Sequence, residues 1–111
     1  MTEREFQERI ITLARTLGWL VFHTHDSRRQ VRPGVFVGDS DAAGYPDLTL
    51  VHPRRHRVVW AELKVGSNKP TAKQQDWLDA LAEAGEEAHL WRPSDMDAIE
   101  TVLKTNKRVY A

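Results

Sequence analysis

Apolar residues along this chain change period several times, and each change marks an element. Phe6, Ile10, Leu13 and Leu17 recur at helical spacing, which predicts a helix over residues 2–17 with Thr2 as its N-cap. Gly18 ends it. Trp19 to His23 is rich in apolar and aromatic residues and reads as a strand. Residues 26–44 lose all periodicity, with Pro33, Gly34, Gly38 and Gly44 as breakers, and are expected to be an irregular loop. Residues 47–52 and 58–64 read as two strands joined by Pro53-Arg54-Arg55-His56-Arg57. Both are apolar at nearly every position, as expected of strands covered on both faces. Thr71 opens a helix to Ala84, with Thr71 and Gln74 at capping-box spacing, and Gly85 stops it. Ala88 to Trp91 is a short strand, and Ser94 is expected to cap a last helix to Leu103. The order is helix, three strands, helix, strand, helix. It predicts an α/β fold of αβββαβα order, a mixed central sheet flanked by helices.

Composition narrows the class. The chain has 111 residues, 41% of them hydrophobic, which is enough for one domain spanning 1–111 with its own core. The absence of cysteine excludes disulfides and thiolate zinc sites. No apolar run nears the roughly 18 residues of a membrane span. Residues 1–5 are charged and lack the apolar core of a signal peptide. The expectation is a soluble cytoplasmic protein, with no membrane partner.

Net charge is zero but unevenly spread. Residues 26–73 carry nine Lys/Arg against five Asp/Glu, and residues 74–103 one Arg against eight acids. A polarised surface of this kind can bind a polyanion despite the neutral total; an ordinary solvated surface is the plainer alternative.

The chemistry concentrates where charge interrupts apolar strands. Pro46-Asp47 is followed, after fourteen residues, by Glu62-Leu63-Lys64. Charge at such positions is costly unless paired or metal-bound. If the two strands form a hairpin centred on their loop, opposed residues have numbers summing to about 109, and Asp47 faces Glu62. Lys64 then shares their face. Two such carboxylates need a proton, a cation or the lysine to neutralise them. An all-oxygen site with few protein ligands suits Mg²⁺. A structural ion pair of Lys64 with either acid explains the same residues equally well. On the first helix, about 100° per residue puts Glu3 in line with the buried stripe and turns Glu5 away from it. Glu3 is thus a candidate further acid, although acids also favour a helix's first turn through its dipole. Gln74 either completes its capping box or reaches toward a phosphate.

Gly44-Tyr45-Pro46-Asp47-Leu48 followed by Ala61-Glu62-Leu63-Lys64 resembles the PD-(D/E)XK nuclease signature. Glu3-x-x-Phe6-Gln7, Gly18-Trp19-x-x-x-His23, Thr71-x-x-Gln74-x-x-Trp77-Leu78 and Trp91-Arg92-Pro93-Ser94 add to it. Nearly the whole chain resembles a VRR-NUC domain of the small stand-alone phage and bacterial type. The resemblance implies a restriction-endonuclease-like core and hydrolysis of phosphodiester bonds. It implies Mg²⁺ or Mn²⁺ held by Asp47, Glu62, the Leu63 carbonyl and the helix acid Glu3. Lys64 would position the attacking water, with Gln74 beside it. It also implies a structure-selective DNA endonuclease acting as a homodimer on branched DNA, including Holliday junctions, in a bacterial or phage-infected cell. Arg28, Arg29, Arg32, Lys69 and Lys73 are candidate phosphate contacts, and equally candidate solvated charges. His23 and His25 are candidates for lining the site, though a strand histidine is more often structural. The alternatives are a less selective repair or restriction-like nuclease acting on duplex DNA, and a non-catalytic DNA-binding module.

Overall fold

The computed structural model describes residues 1–24, 30–32, 35–36 and 41–111; for 30–32, 35–36 and 41 it describes the backbone alone. Helix α1 spans Glu3–Thr16, and a capping box of Thr2 and Glu5 closes its N-terminus. Strand β1 follows at Leu20–His23 after Gly18, whose φ of +92° reverses the chain where a side chain would be strained. A short ribbon, β2 (Gln30–Arg32) paired with β3 (Val35–Phe36), then precedes a 3₁₀ turn at Asp41–Gly44. The ribbon and turn correct the expectation of an irregular 26–44 loop. Three-residue and two-residue strands are too short to leave a period in the sequence.

Strand β4 (Leu48–His52), β5 (Arg57–Leu63), helix α2 (Ala72–Glu83), β6 (Glu87–Trp91) and helix α3 (Met96–Lys104) complete the chain. The main sheet runs β1-β4-β5-β6, with β6 parallel to β5 and the other pairs antiparallel. The β5–α2–β6 crossover makes the sheet mixed, as its element order predicts. The capping box at Thr71 and Gln74 is present. Ser94 is not a cap: Pro93 opens a 3₁₀ turn, Asp95 is the N-cap of α3, and its carboxylate accepts from the Arg92 amide at 2.9 Å.

One face of the sheet holds the core. Leu48, Leu50, Val59, Ala61 and Leu63 are fully buried there with Phe6, Ile10 and Ala14 of α1 and Ile99 and Leu103 of α3. The other face is covered unevenly. In β4, Thr49 and Val51 are half-buried, as are Val58 and Trp60 of β5, while Leu20 and Phe22 of β1 are exposed. The expectation that β4 and β5 would be covered on both faces holds in part: their second face is half-buried at Thr49, Val51, Val58 and Trp60 and closed at Glu62. At the β1 edge, apolarity reports composition, not burial.

Arg57, expected in the hairpin loop, is instead the first residue of β5 and is buried. Its guanidinium donates to both Glu87 carboxylate oxygens, at 2.7 and 3.2 Å, and to the Val102 and Thr105 carbonyls at 2.8 and 2.7 Å. It also lies 5.0 Å over the Trp19 ring, whose indole N–H donates to the Leu103 carbonyl. These groups satisfy the open carbonyls at the end of α3.

Candidate active site

The β4–β5 register runs from Leu48↔Ala61 to His52↔Arg57, so opposed numbers sum to 109 as the hairpin reading expects. Continued by one step, this register sets Asp47 against Glu62. Asp47 sits just before β4, and its carbonyl still accepts from the Thr24 amide at 3.0 Å, which extends the ladder to it. Its carboxylate turns across to β5, where Oδ2 accepts from the Leu63 amide at 2.9 Å. That bond fixes one oxygen of a carboxyl whose charge acts on Glu62.

The turn before Asp47 is held firmly. Pro46 is fully buried. The Tyr45 hydroxyl shares a hydrogen bond with Thr49 Oγ1 at 2.9 Å and accepts from Trp60 Nε1 at 3.0 Å, and its ring stacks edge-on to Trp77. A Cβ at Gly44 would lie 2.3 Å from the Lys73 carbonyl and 2.8 Å from the Gln74 amide, so only glycine lets this turn approach the start of α2. The sequence reading missed this polar-aromatic network. Its signal was present in Thr49 and Trp60, which alternate with the core residues of their strands.

Glu62 is 1% exposed, and neither of its carboxylate oxygens has a hydrogen-bond partner among the described residues. Burial, then the facing Asp47 carboxylate, push its pKa up to about 9, while the Lys64 cation pulls the other way. Two carboxyls this close cannot both ionise cheaply: Glu62 keeps its proton, or a cation must take the proton's place. Lys64 follows β5 directly, half-exposed, and its amide donates to the Trp91 carbonyl at 3.1 Å.

Glu3 and Glu5 separate clearly. Glu5 accepts from the Thr2 amide at 3.0 Å, and these hydrogen bonds hold its pKa down. The Glu3 pKa is raised, first by burial and then by Asp47, with Lys64 opposing. Glu3 therefore feels the charges of the site from the start of α1. Among the described residues, no three His, Asp or Glu side chains converge as a ready-made metal cage. Gln74 Oε1 accepts from the Thr71 amide at 2.9 Å, which commits that oxygen to the cap.

The predicted phosphate contacts divide. Lys73 opens α2 beside Gly44, and Lys69 is exposed in the loop after β5. The Arg92 guanidinium braces that loop through the Gly66 and Asn68 carbonyls at 3.1 and 2.7 Å. Arg32 lies in β2, where only backbone is described, and Arg28, Arg29 and His25 fall outside the described residues. His23 ends β1 opposite Leu48.

No family model and no curated protein matches the sequence. One solved structure, a "VRR_NUC domain", is similar to this chain with a TM-score of 0.62 at 19% identity, covering 92% of this chain and 94% of that one. At that identity the likeness establishes the fold alone, one α/β fold spanning nearly the whole of both chains. No helix among the described residues is long and apolar enough to cross a membrane.

Proposed function

We propose that this VRR_NUC-fold chain is a metal-dependent endodeoxyribonuclease selective for branched DNA, four-way junctions above all, and that it works as a homodimer. The observation that carries the reading is Glu62: a buried carboxyl group set against the Asp47 carboxylate at the end of two paired strands, its pKa pushed up to about 9 by burial and by that neighbour. A fold keeps such a pair only at a cost, and a bound cation removes that cost.

The donors fit a hard divalent cation, Mg²⁺ or Mn²⁺. Asp47 and Glu62 are the holding carboxylates, with the Leu63 carbonyl between Glu62 and Lys64 as a further oxygen. Such a cation, when bound, polarises a phosphoryl oxygen and acidifies water. The protein's own groups do the rest. The Leu63 amide and the packed Tyr45–Pro46 turn hold Asp47 in one orientation. Lys64 orients the attacking water and offsets the negative charge that grows on the phosphoryl oxygens. Glu3 acts on that charge balance from α1. Gln74 braces the start of α2 beside the site, and Lys69 and Lys73 meet flanking phosphates, joined by Arg28, Arg29 and Arg32. Two active sites related by a two-fold axis match a substrate that must be cut on two strands.

The reading is tested with purified protein and Mg²⁺ on a four-way junction, a flap, plain duplex and single strands. Paired symmetric cuts on the junction support it. Equal cutting of plain duplex leaves a less selective nuclease, and DNA binding with no cutting leaves a binding module.

A further inference from the structure

The uncovered half of the sheet adjoins the proposed site. Phe22 of edge strand β1 is 61% exposed and Leu20 is 66% exposed. Register sets Phe22 against Thr49, which is set against Trp60. Strand alternation puts Asp47 and Glu62 on that same side, two residues further along β4 and β5. One strand spacing and two residues separate the backbones of Phe22 and Asp47 by about 8 Å. Toward the β5 side the same face is closed by α2, whose Trp77 packs on Tyr45, so among the described residues the β1 side is the open one.

We infer that the Phe22 ring is a stacking platform for an unpaired nucleobase beside the scissile phosphate. This deepens the nuclease reading and rests on it for the identity of the ligand. The charge pattern favours a nucleotide as occupant. The strip of Leu20, Phe22, Thr49, Val51, Val58 and Trp60 carries no charge, while the Lys64 cation acts on the carboxyls and Lys73 is exposed near the start of α2. A polyanion backbone meets the lysines while its base lies on the ring. A second protein copy fits less well. Leu20 and Phe22 together expose roughly 250 Å² of apolar surface if each side chain offers about 200 Å². That is a third of the roughly 800 Å² per partner of a stable interface. One base needs only one ring face. A base must leave the duplex stack to lie there, so the platform favours DNA whose bases are unpaired or easily unstacked, as at the centre of a four-way junction, a flap or a single strand.

The experiment measures binding of the full chain, with Ca²⁺ replacing Mg²⁺ to hold the DNA uncut. The probes are a single strand, a flap and a plain duplex, each carrying the fluorescent base 2-aminopurine near the cleaved position. Phe22→Ala should weaken binding to the strand and flap about tenfold, the scale of one base–aromatic stack. It should abolish the quenching of 2-aminopurine and leave duplex binding unchanged, and Phe22→Trp should restore both. Equal weakening on duplex, or no weakening, overturns the inference. So does a drop from dimer to monomer mass in sedimentation of Phe22→Ala, which assigns the strip to the subunit contact. Phe22-dependent quenching in a protein that never cuts DNA would sink the nuclease reading and leave the platform standing.

Discussion

Glu62→Gln should make the metal-free protein more stable at pH 8, although it removes a central residue of the proposed site. The Glu62 carboxyl is 1% exposed, unpartnered, and titrates near 9 instead of the ordinary 4.5. Below pH 4.5 both folded and unfolded chains hold the proton, and the group contributes no difference. As pH rises above 4.5, the unfolded chain releases its proton while the folded chain keeps it. Stability therefore falls through the window from 4.5 to 9 and levels off above it. At pH 7 the linkage cost is roughly 3 to 4 kcal/mol, from two and a half units at about 1.4 kcal/mol each. Glutamine keeps the shape without the titration, so most of that cost disappears. For a domain of this size about 3 kcal/mol corresponds to a rise in Tm on the order of 10 °C. Thermal melts by circular dichroism, in chelator at pH 4.5, 6 and 8, measure the difference. It should be near zero at pH 4.5 and grow with pH. A Glu62→Gln protein less stable than the parent at pH 8, or a gap that does not change with pH, would refute the reasoning. Saturating Mg²⁺ or Mn²⁺ should raise the parent's Tm and leave the variant's unchanged, since a ligand at a hundred times its Kd stabilises by about 2.7 kcal/mol.

Three further outcomes follow from single contacts. Lys64→Ala should lower kcat by about 10²-fold or more, the scale of one lost electrostatic donor, while DNA affinity measured in Ca²⁺ stays within a few-fold. Arg57→Ala strips the buried Glu87 of its two charge-assisted bonds and should cost about 3–5 kcal/mol in urea unfolding, or prevent folding. Gly44→Ala drives a Cβ to 2.3 Å from the Lys73 carbonyl and must move α2 or the turn into Asp47, so turnover should fall with Tm. A Gly44→Ala protein of unchanged Tm and rate would show that the close approach does not position the site.

The sequence revealed the site's spine better than its surroundings. Asp47 and Glu62 stood out because charge inside apolar strands is improbable without a task, and hairpin arithmetic alone gave the 109 register. The Thr71–Gln74 capping box was readable because Thr-x-x-Gln satisfies backbone amides locally; the Thr2 cap was read too, but not its reciprocal partner Glu5. Arg57 was not readable: its partners Glu87, Val102 and Thr105 come from distant parts of the chain, and next to two other arginines it looked like loop charge. The bare face near β1 was hidden for a similar reason. Leu20 and Phe22 have the composition of buried residues, and only strand order tells that they flank an edge. Ser94 lost its expected role to Asp95, because Pro93 moved the helix start by a short 3₁₀ turn.

The most direct test compares cleavage of one four-way junction by the parent, Asp47→Asn and Glu62→Gln in Mg²⁺ and in chelator. The account predicts paired cuts by the parent only with metal, and no cuts by either variant although both remain folded. Metal-independent cutting, or full activity in either variant, would contradict it.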